Sequence, residues 1–322
     1  MSRQSRLFSC LIMALFLCIP ALSSCAKQPQ QDDRKTVITT VFATYDFARQ
    51  IVGDSMQVSL LLSPGAESHT YEPTPQDMIA IQNCDLFIYI GGESEAWVER
   101  LLRGSDTKDG KTLRLMDYVN LLHEETVEGM QTEEHGTHEE DAHEEELDEH
   151  IWTSPKVAMQ MVDAIYESLC EAVPESSALF HANTEAYQKQ LQLLDQTFSD
   201  IVSAADTDTI IFADRFPCRY FTHTYGLQYY AAFPGCADDA EPSAATLTFL
   251  IDKVSETSIP VVFYTEFSNQ KIADTICEET GAEKRLFHSC HNVTKKEMES
   301  GATYLSLMQQ NAENLKEALI WH

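Results

Sequence analysis

The chain has 322 residues, and its 51 Asp and Glu against 22 Lys and Arg give a formal charge of −29 with histidine neutral. That balance excludes a nucleic-acid partner, whose phosphates require Lys and Arg, and suits a cationic one. The length permits one large or two medium domains with a sizeable core.

The opening MSRQSRLFSCLIMALFLCIPALSSC carries Arg3 and Arg6, runs apolar from Leu7 to Leu22 and closes on small residues before Cys25. This is the layout of a secretory signal, too short for a membrane-spanning helix. Leu22-Ser23-Ser24-Cys25 resembles the lipobox of bacterial lipoproteins, so residues 1–24 are expected to be removed and Cys25 lipidated. A diacylglycerol plus a further acyl chain buries enough CH₂ groups to hold a protein on a membrane, and the polar stretch 25–35 reads as its tether. Six cysteines follow Cys25 (Cys84, Cys170, Cys218, Cys236, Cys277 and Cys290). Outside the cytoplasm some can pair, but their connectivity is not readable from the sequence.

From residue 36 apolar runs alternate with helical patterns. KTVITTVF, MQVSLLL and CDLFIYI read as strands, and YDFARQIV, PQDMIAIQ and EAWVERLL as the helices between and after them. This βαβ alternation predicts a parallel sheet. A long helix follows from about Ala178 to Ile201, where Tyr187, Leu191, Leu194, Phe198 and Ile201 make one apolar stripe at steps of three and four. The alternation then restarts through TIIFAD, LQYYAAF, PVVFYT and KRLFHS, and a last helix runs through YLSLMQQNAENLKEAL. The expected fold is therefore α/β: two α/β lobes with parallel sheets, joined by one long rigid helix. The boundaries read as an N-terminal lobe over 36–175, the connecting helix over 176–205 and a C-terminal lobe over 206–322. No internal sequence repeat is visible.

One segment interrupts this grammar. From His123 to His150 the chain holds five histidines and thirteen acidic residues with no Lys or Arg. Its charges repel and it has no apolar face, so 123–149 reads as a solvated, disordered loop, and removal of Glu124–Glu149 is expected to leave the fold and the tight metal site nearly intact. His123, His135, His138 and His143 would gather divalent cations weakly beside the lobes.

In an open parallel sheet ligands sit beyond the carboxyl ends of the strands. The strand-end loops here carry His69 (SPGAESHTYEPTPQD), His150 (DEHIWTSPKVA), Asp214 (FADRFP), Glu266 (YTEFS), and His288, Cys290 and His291 (LFHSCHN). Imidazoles and carboxylates converging from both lobes would make a zinc-type site. H-E-x-x-H occurs nowhere, and GSDTKDGKT at Gly104 has one residue too many for a P-loop and follows a helix, so neither a zinc hydrolase nor an ATPase is indicated.

GAESHTYEPTPQD and DEHIWTSPKVA resemble the metal-binding loops of the zinc and manganese substrate-binding lipoproteins of ABC importers, and the likeness extends over nearly the whole mature chain, including Gly301, Tyr304, Asn311 and Leu315 of a G-x-x-Y…N-x-x-x-L pattern. The resemblance implies two lobes bridged by a rigid helix, with the metal between them and His69 and His150 as ligands. Two departures matter. The family's third ligand is a His opening an H-D-A-F-like motif, where this chain has Ala213, and its Asp in an L-D-P stretch is replaced by LFHSCHN. Compensation by His288 or His291 is the economical inference; His288, at the strand end, is preferred, with Asp214 or Glu266 as an oxygen ligand or as an acceptor fixing a histidine.

The resemblance implies a non-enzymatic, extracytoplasmic, lipid-anchored monomer. It would capture Zn²⁺ in preference to Mn²⁺, since imidazole suits zinc, and pass it to a membrane permease served by a separate ATPase. The alternative from another class is an anchored zinc scavenger or adhesin without a transporter, which the absence of a neighbouring permease gene would favour.

Overall fold

Short apolar strands that must bury both faces pair side by side under covering helices. The computed structural model, which describes residues 34–66, 71–103, 112–131, 146–235 and 241–321, contains two four-stranded parallel sheets. The first is built from β1 (Thr36–Thr39), β2 (Gln57–Leu60), β3 (Leu86–Tyr89) and β4 (Thr112–Arg114), in the order β2-β1-β3-β4. The second uses β5 (Thr209–Phe216), β6 (Gln228–Pro234), β7 (Val261–Tyr264) and β8 (Glu283–Leu286), in the order β6-β5-β7-β8. The lobes therefore repeat one topology without a repeat in sequence.

Helices α1 (Phe42–Val52), α2 (Pro75–Asn83) and α3 (Ala96–Arg103) belong to the first lobe, and α6 (Arg219–Tyr225), α7 (Ala244–Thr257) and α8 (Lys271–Thr280) to the second. Between the sheets run α4 (Pro155–Ala172) and α5 (Ser177–Ser203); α9 (Lys295–Ser300) and α10 (Tyr304–Leu319) close the chain. With 27 residues, α5 is roughly 40 Å long at 1.5 Å per residue. Its buried face is the expected stripe from Tyr187 to Ile201, extended back to Phe180 and Thr184, while Leu193 on the other face is 69% exposed. It packs against α4, α1 and α10. Neither β4 nor α4 was expected: β4 is three residues without an apolar run, and α4 begins directly behind the His150 motif at Pro155, whose fixed φ suits a first helical position.

The lobes exchange segments. The loop that leaves β8 crosses to the first lobe, where the His291 carbonyl accepts from Phe42 N–H at 2.8 Å, Val293 O from Gly65 N–H at 2.8 Å, and the Asn292 amide donates to the carbonyls of Ser63 and Ala66. In the other direction the acidic segment crosses to the second lobe. Glu124 N–H donates to Glu146 O and Asp148 N–H to Leu122 O, so the segment's two ends form a short antiparallel stem at His123 and Leu147. Beyond it Val127 and Met130 pack on the main core, Arg219 pairs with Glu125 at 3.1 Å, and Gln131 N–H donates to Ala232 O at the edge of β6. This corrects the expectation of a loop solvated over all of 123–149: two apolar side chains and backbone pairing fix 123–131, and 146–149 is likewise placed. His135, His138 and His143 lie outside the described residues, as does Cys25.

Aspartate 46, buried on α1, accepts the Tyr304 N–H at 2.9 Å, and the Tyr304 hydroxyl donates to Trp152 O at 2.8 Å. Asp46→Ala strands a buried donor at the start of α10 and is expected to cost about 1–3 kcal/mol. Asp46→Asn keeps an acceptor and should cost less, an ordering that urea denaturation of the metal-free chain reads directly.

Candidate metal centre

Glu266, His288 and His291 follow strand ends, and His150 precedes a short turn. His150 is buried just ahead of a 3₁₀ turn at Ile151–Thr153. Its backbone N–H donates to Asp148 Oδ1 at 2.8 Å, and the same oxygen lies 3.2 Å from its Nδ1. Asp148 thus directs the other ring nitrogen, Nε2, outward. Glu149, also buried, accepts from both the N–H and the hydroxyl of Ser94. The last residues of the acidic segment, Asp148 and Glu149, are therefore packed beside His150 and not solvated as expected. Burial works against a charged His150, but Asp148, with Glu149 and Glu124 behind it, outweighs burial and holds the imidazole pKa above its ordinary value.

Opposite stands the loop after β8. Cys290 has φ +61°, a left-handed turn rare for residues other than Gly, Asn and Asp, and this turn sends His288 and His291 to different places. The His291 ring meets His150 with centroids 5.6 Å apart and planes at 83°, and packs on Trp152 at 4.9 Å. His288 Nδ1 accepts from Cys290 N–H, and its Nε2 lies 3.7 Å from Glu297 Oε1. The His288 ring, 3.7 Å away, and the hydrogen bonds that Thr294 donates draw the Glu297 carboxyl down to about 2. Glu266 and Glu297 together hold His288 above its ordinary pKa against burial. Burial pushes the Cys290 thiol well up, which does not favour a thiolate ligand.

His150, His291 and Glu266 line one cavity of about 40 Å³, together with Arg215, Ser289 and Ala66, the last described residue before the His69 loop. His288 and Asp214 are not on its wall. Both Glu266 oxygens accept from Ser289, its N–H and its hydroxyl. Asp214 instead accepts from the N–H and hydroxyl of Thr265, tying the end of β5 to that of β7 and so aiming Glu266. Ala213 is buried in the apolar cluster of Ile211, Ala232 and Leu250. His69 lies outside the described residues, and His123 is exposed on the stem. Among the described residues no three His, Cys, Asp or Glu side chains are already gathered around one point.

The donors fit an ion of zinc type. Two imidazoles sharing one tetrahedral ion at Zn–N of about 2.0–2.1 Å have ring centroids roughly 5 Å apart, close to the spacing of His150 and His291. The cavity of about 40 Å³ suits an ion and a water.

A family model for the periplasmic component A of the zinc-uptake complex, ZnuA, matches residues 37–318. The chain belongs to that family. It is 32% identical over 301 residues to the zinc-binding lipoprotein AdcA of Streptococcus pneumoniae, covering 94% of this chain and 59% of that protein. It is 30% identical to the high-affinity zinc uptake system protein ZnuA of Bacillus subtilis over 96% of both. The crystal structure of the Zn(II)-bound ZnuA-like domain of S. pneumoniae AdcA matches with a TM-score of 0.74 at 30% identity, covering 89% of this chain and all of that domain. The metal-dependent lipoprotein YcdH of B. subtilis matches at 0.75 and 28%, over 89% of this chain and all of that one. The chain thus spans 59% of the length of the AdcA it matches.

Sequence reasoning passed over Glu95, which reads as a surface acid in GGESEAW. It is buried, accepts Gly91 N–H at 2.8 Å, and is pushed up to about 7, first by burial and further by the Glu149 charge. Above pH 4.5 the unfolded carboxyl loses its proton while the folded one keeps it to about 7, so the native state binds the extra proton and stability falls as pH rises through that window. Relative to Glu95→Gln, the metal-free wild type is expected to lose roughly 3 kcal/mol between pH 4.5 and 7.5. Parallel denaturation profiles for the two proteins would show that Glu95 does not titrate there.

Proposed function

We propose that the protein is the extracytoplasmic solute-binding component of an ABC importer, capturing one Zn²⁺ between its lobes and handing it to a membrane permease driven by a separate ATPase. The observation that carries this reading is the pair of buried imidazoles, His150 and His291, facing one small cavity at a spacing that suits a shared ion. Membership of the zinc-uptake family and the zinc-binding names of its relatives support the choice of zinc over manganese.

The ligand set we propose is His150, His291 and Glu266, joined by His69 from the loop next to Ala66. Glu266 would exchange its Ser289 hydrogen bonds for the ion. The placement of the two C-terminal histidines favours His291 over His288, whose role is then to neutralise Glu297 and brace the loop. Asp214 serves by positioning Thr265 and Glu266. Residues 1–24 act as the export signal, lipidated Cys25 anchors the monomer through the tether to residue 35, and the lobes 36–175 and 206–322 are held apart by the helix region 176–205. Among the described residues no helix is long and apolar enough to cross a membrane. The distal part of the acidic segment, with His135, His138 and His143, collects zinc weakly near the cavity. The mechanism requires capture and release and no bond-making chemistry.

Competition against a chelator tests the assignment. His150→Ala and His291→Ala are expected to weaken tight zinc binding by at least one to two orders of magnitude, since even outer-shell changes reach that range. His288→Ala should cost less than either. If His291→Ala binds as wild type while His288→Ala does not, the ligand set is wrong.

Removing residues 132–145 should leave the tight site intact and abolish only extra, weaker equivalents. Removing 124–149 should destroy the tight site, because it takes away Asp148 and Glu149. Zinc stoichiometry by isothermal titration separates the two deletions, and equal loss from both would contradict the placement of those carboxylates.

A further inference from the structure

Directly behind His291, Asn292 is 1% exposed and stands on the wall of the same cation cavity. Its side-chain amide donates to two carbonyls of the first lobe, Ser63 O at 2.8 Å and Ala66 O at 2.9 Å, while its Oδ1 accepts the N–H of Val293 at 2.8 Å. These partners settle which way the amide points, since a carbonyl accepts only from the nitrogen. Both of its N–H groups and its oxygen are engaged, and one side chain reaches from the loop after β8 to the loop after β2.

The two carbonyls it holds are the first and last of a tight turn. Ala66 N–H donates to Ser63 O at 2.9 Å, Pro64 takes the second position, and Gly65 the third with φ +85°, the type II arrangement that favours Pro and Gly at those places. Ser63, Pro64 and Gly65 are exposed, so hydrogen bonds more than apolar burial locate the turn. Two come from Asn292, and a third runs from Gly65 N–H to Val293 O at 2.8 Å. Ala66, at the end of the turn, lines the cation cavity with His291 and Asn292, and His69 follows three residues later in the sequence.

We infer that Asn292 is a positioning residue of the metal site: by clamping the Ser63–Ala66 turn it holds the first-lobe wall of the cavity, and the point from which the chain runs on to His69, against His291. The inference rests on the reading of His291 and His69 as zinc ligands and extends it to the group that ties their backbones together. Ligands that come from two lobes share one ion only while their attachment points keep register, because zinc–nitrogen bonds of about 2.0–2.1 Å leave little slack. A buried amide with both donors committed to the opposite lobe supplies that register without entering the metal's own shell.

The test uses the full mature chain and zinc alone. Asn292→Leu, similar in size and without hydrogen-bonding groups, is expected to weaken tight zinc binding roughly tenfold, the lower end of the range for changes behind metal ligands. Asn292→Asp keeps an oxygen for Val293 but faces the two carbonyls with another. It should also bind more weakly, although a negative charge near a cation would by itself tighten binding, and it guards against failure of Asn292→Leu to fold. In the metal-free chain, hydrogen exchange at the Gly65 and Ala66 amides should quicken in both variants. A double-mutant cycle adds a readout that mere packing would not move: the loss caused by Asn292→Leu should largely vanish in a His69→Ala background and persist in a His150→Ala background. If His69→Ala and His291→Ala bind zinc as wild type, the ligand reading fails and takes this inference with it. If both lose zinc while the Asn292 variants bind as wild type or tighter, or while the loss from Asn292→Leu is equal in the two backgrounds, the inference alone is overturned.

Discussion

The hydrogen bond from the Trp152 indole N–H to the Ser289 carbonyl, 2.7 Å long and buried, joins the two halves of the site. Trp152 lies two residues past His150, and Ser289 two residues before His291. One bond therefore fixes the distance between a donor that enters from the acidic segment and one that leaves the last strand of the other sheet. Ser289 carries the arrangement further, since its N–H and hydroxyl hold Glu266 and its hydroxyl oxygen accepts the His291 N–H. The carboxyl ends of two separate sheets could face each other at many spacings. This seam selects one that suits an ion.

Around the seam the lobes are interlocked instead of merely hinged. The loop after β8 is hydrogen-bonded to Phe42, Ser63, Gly65 and Ala66 of the first lobe, and the segment after Leu122 lies against Tyr220, Tyr229 and Ala232 of the second. Helix α10 braces both: Asn311 exchanges two hydrogen bonds with the backbone of His288, and Tyr304 holds Trp152 O. The G-x-x-Y…N-x-x-x-L pattern thus has a physical meaning, because its Tyr and Asn hold the backbone on either side of the cavity. Such an arrangement opposes a wide opening of the lobes.

Much of this was legible in the residues. The period of α5 could be counted, and β5, β6 and β7 were flagged by β-branched or aromatic runs. His150 stood out through Asp148, Trp152 and Pro155, which the structure uses to orient the ring, join the lobes and start α4. The choice between His288 and His291 was not legible. Three residues apart on an irregular loop, they are separated by the left-handed turn at Cys290, and no periodicity describes such a turn. Val127 and Met130 were hidden by the acid around them, and Glu95 by its place in a short polar loop, since burial of a single polar residue depends on contacts distant in sequence.

The most direct measurement is anomalous diffraction at the zinc edge from crystals of the mature chain loaded with one equivalent of zinc. The account expects one strong peak between the His150 and His291 rings, within ligand distance of a Glu266 oxygen, and none at His288. A peak bound between His288 and Glu297, or on the histidines of 132–145 with the His150–His291 cavity empty, would contradict it.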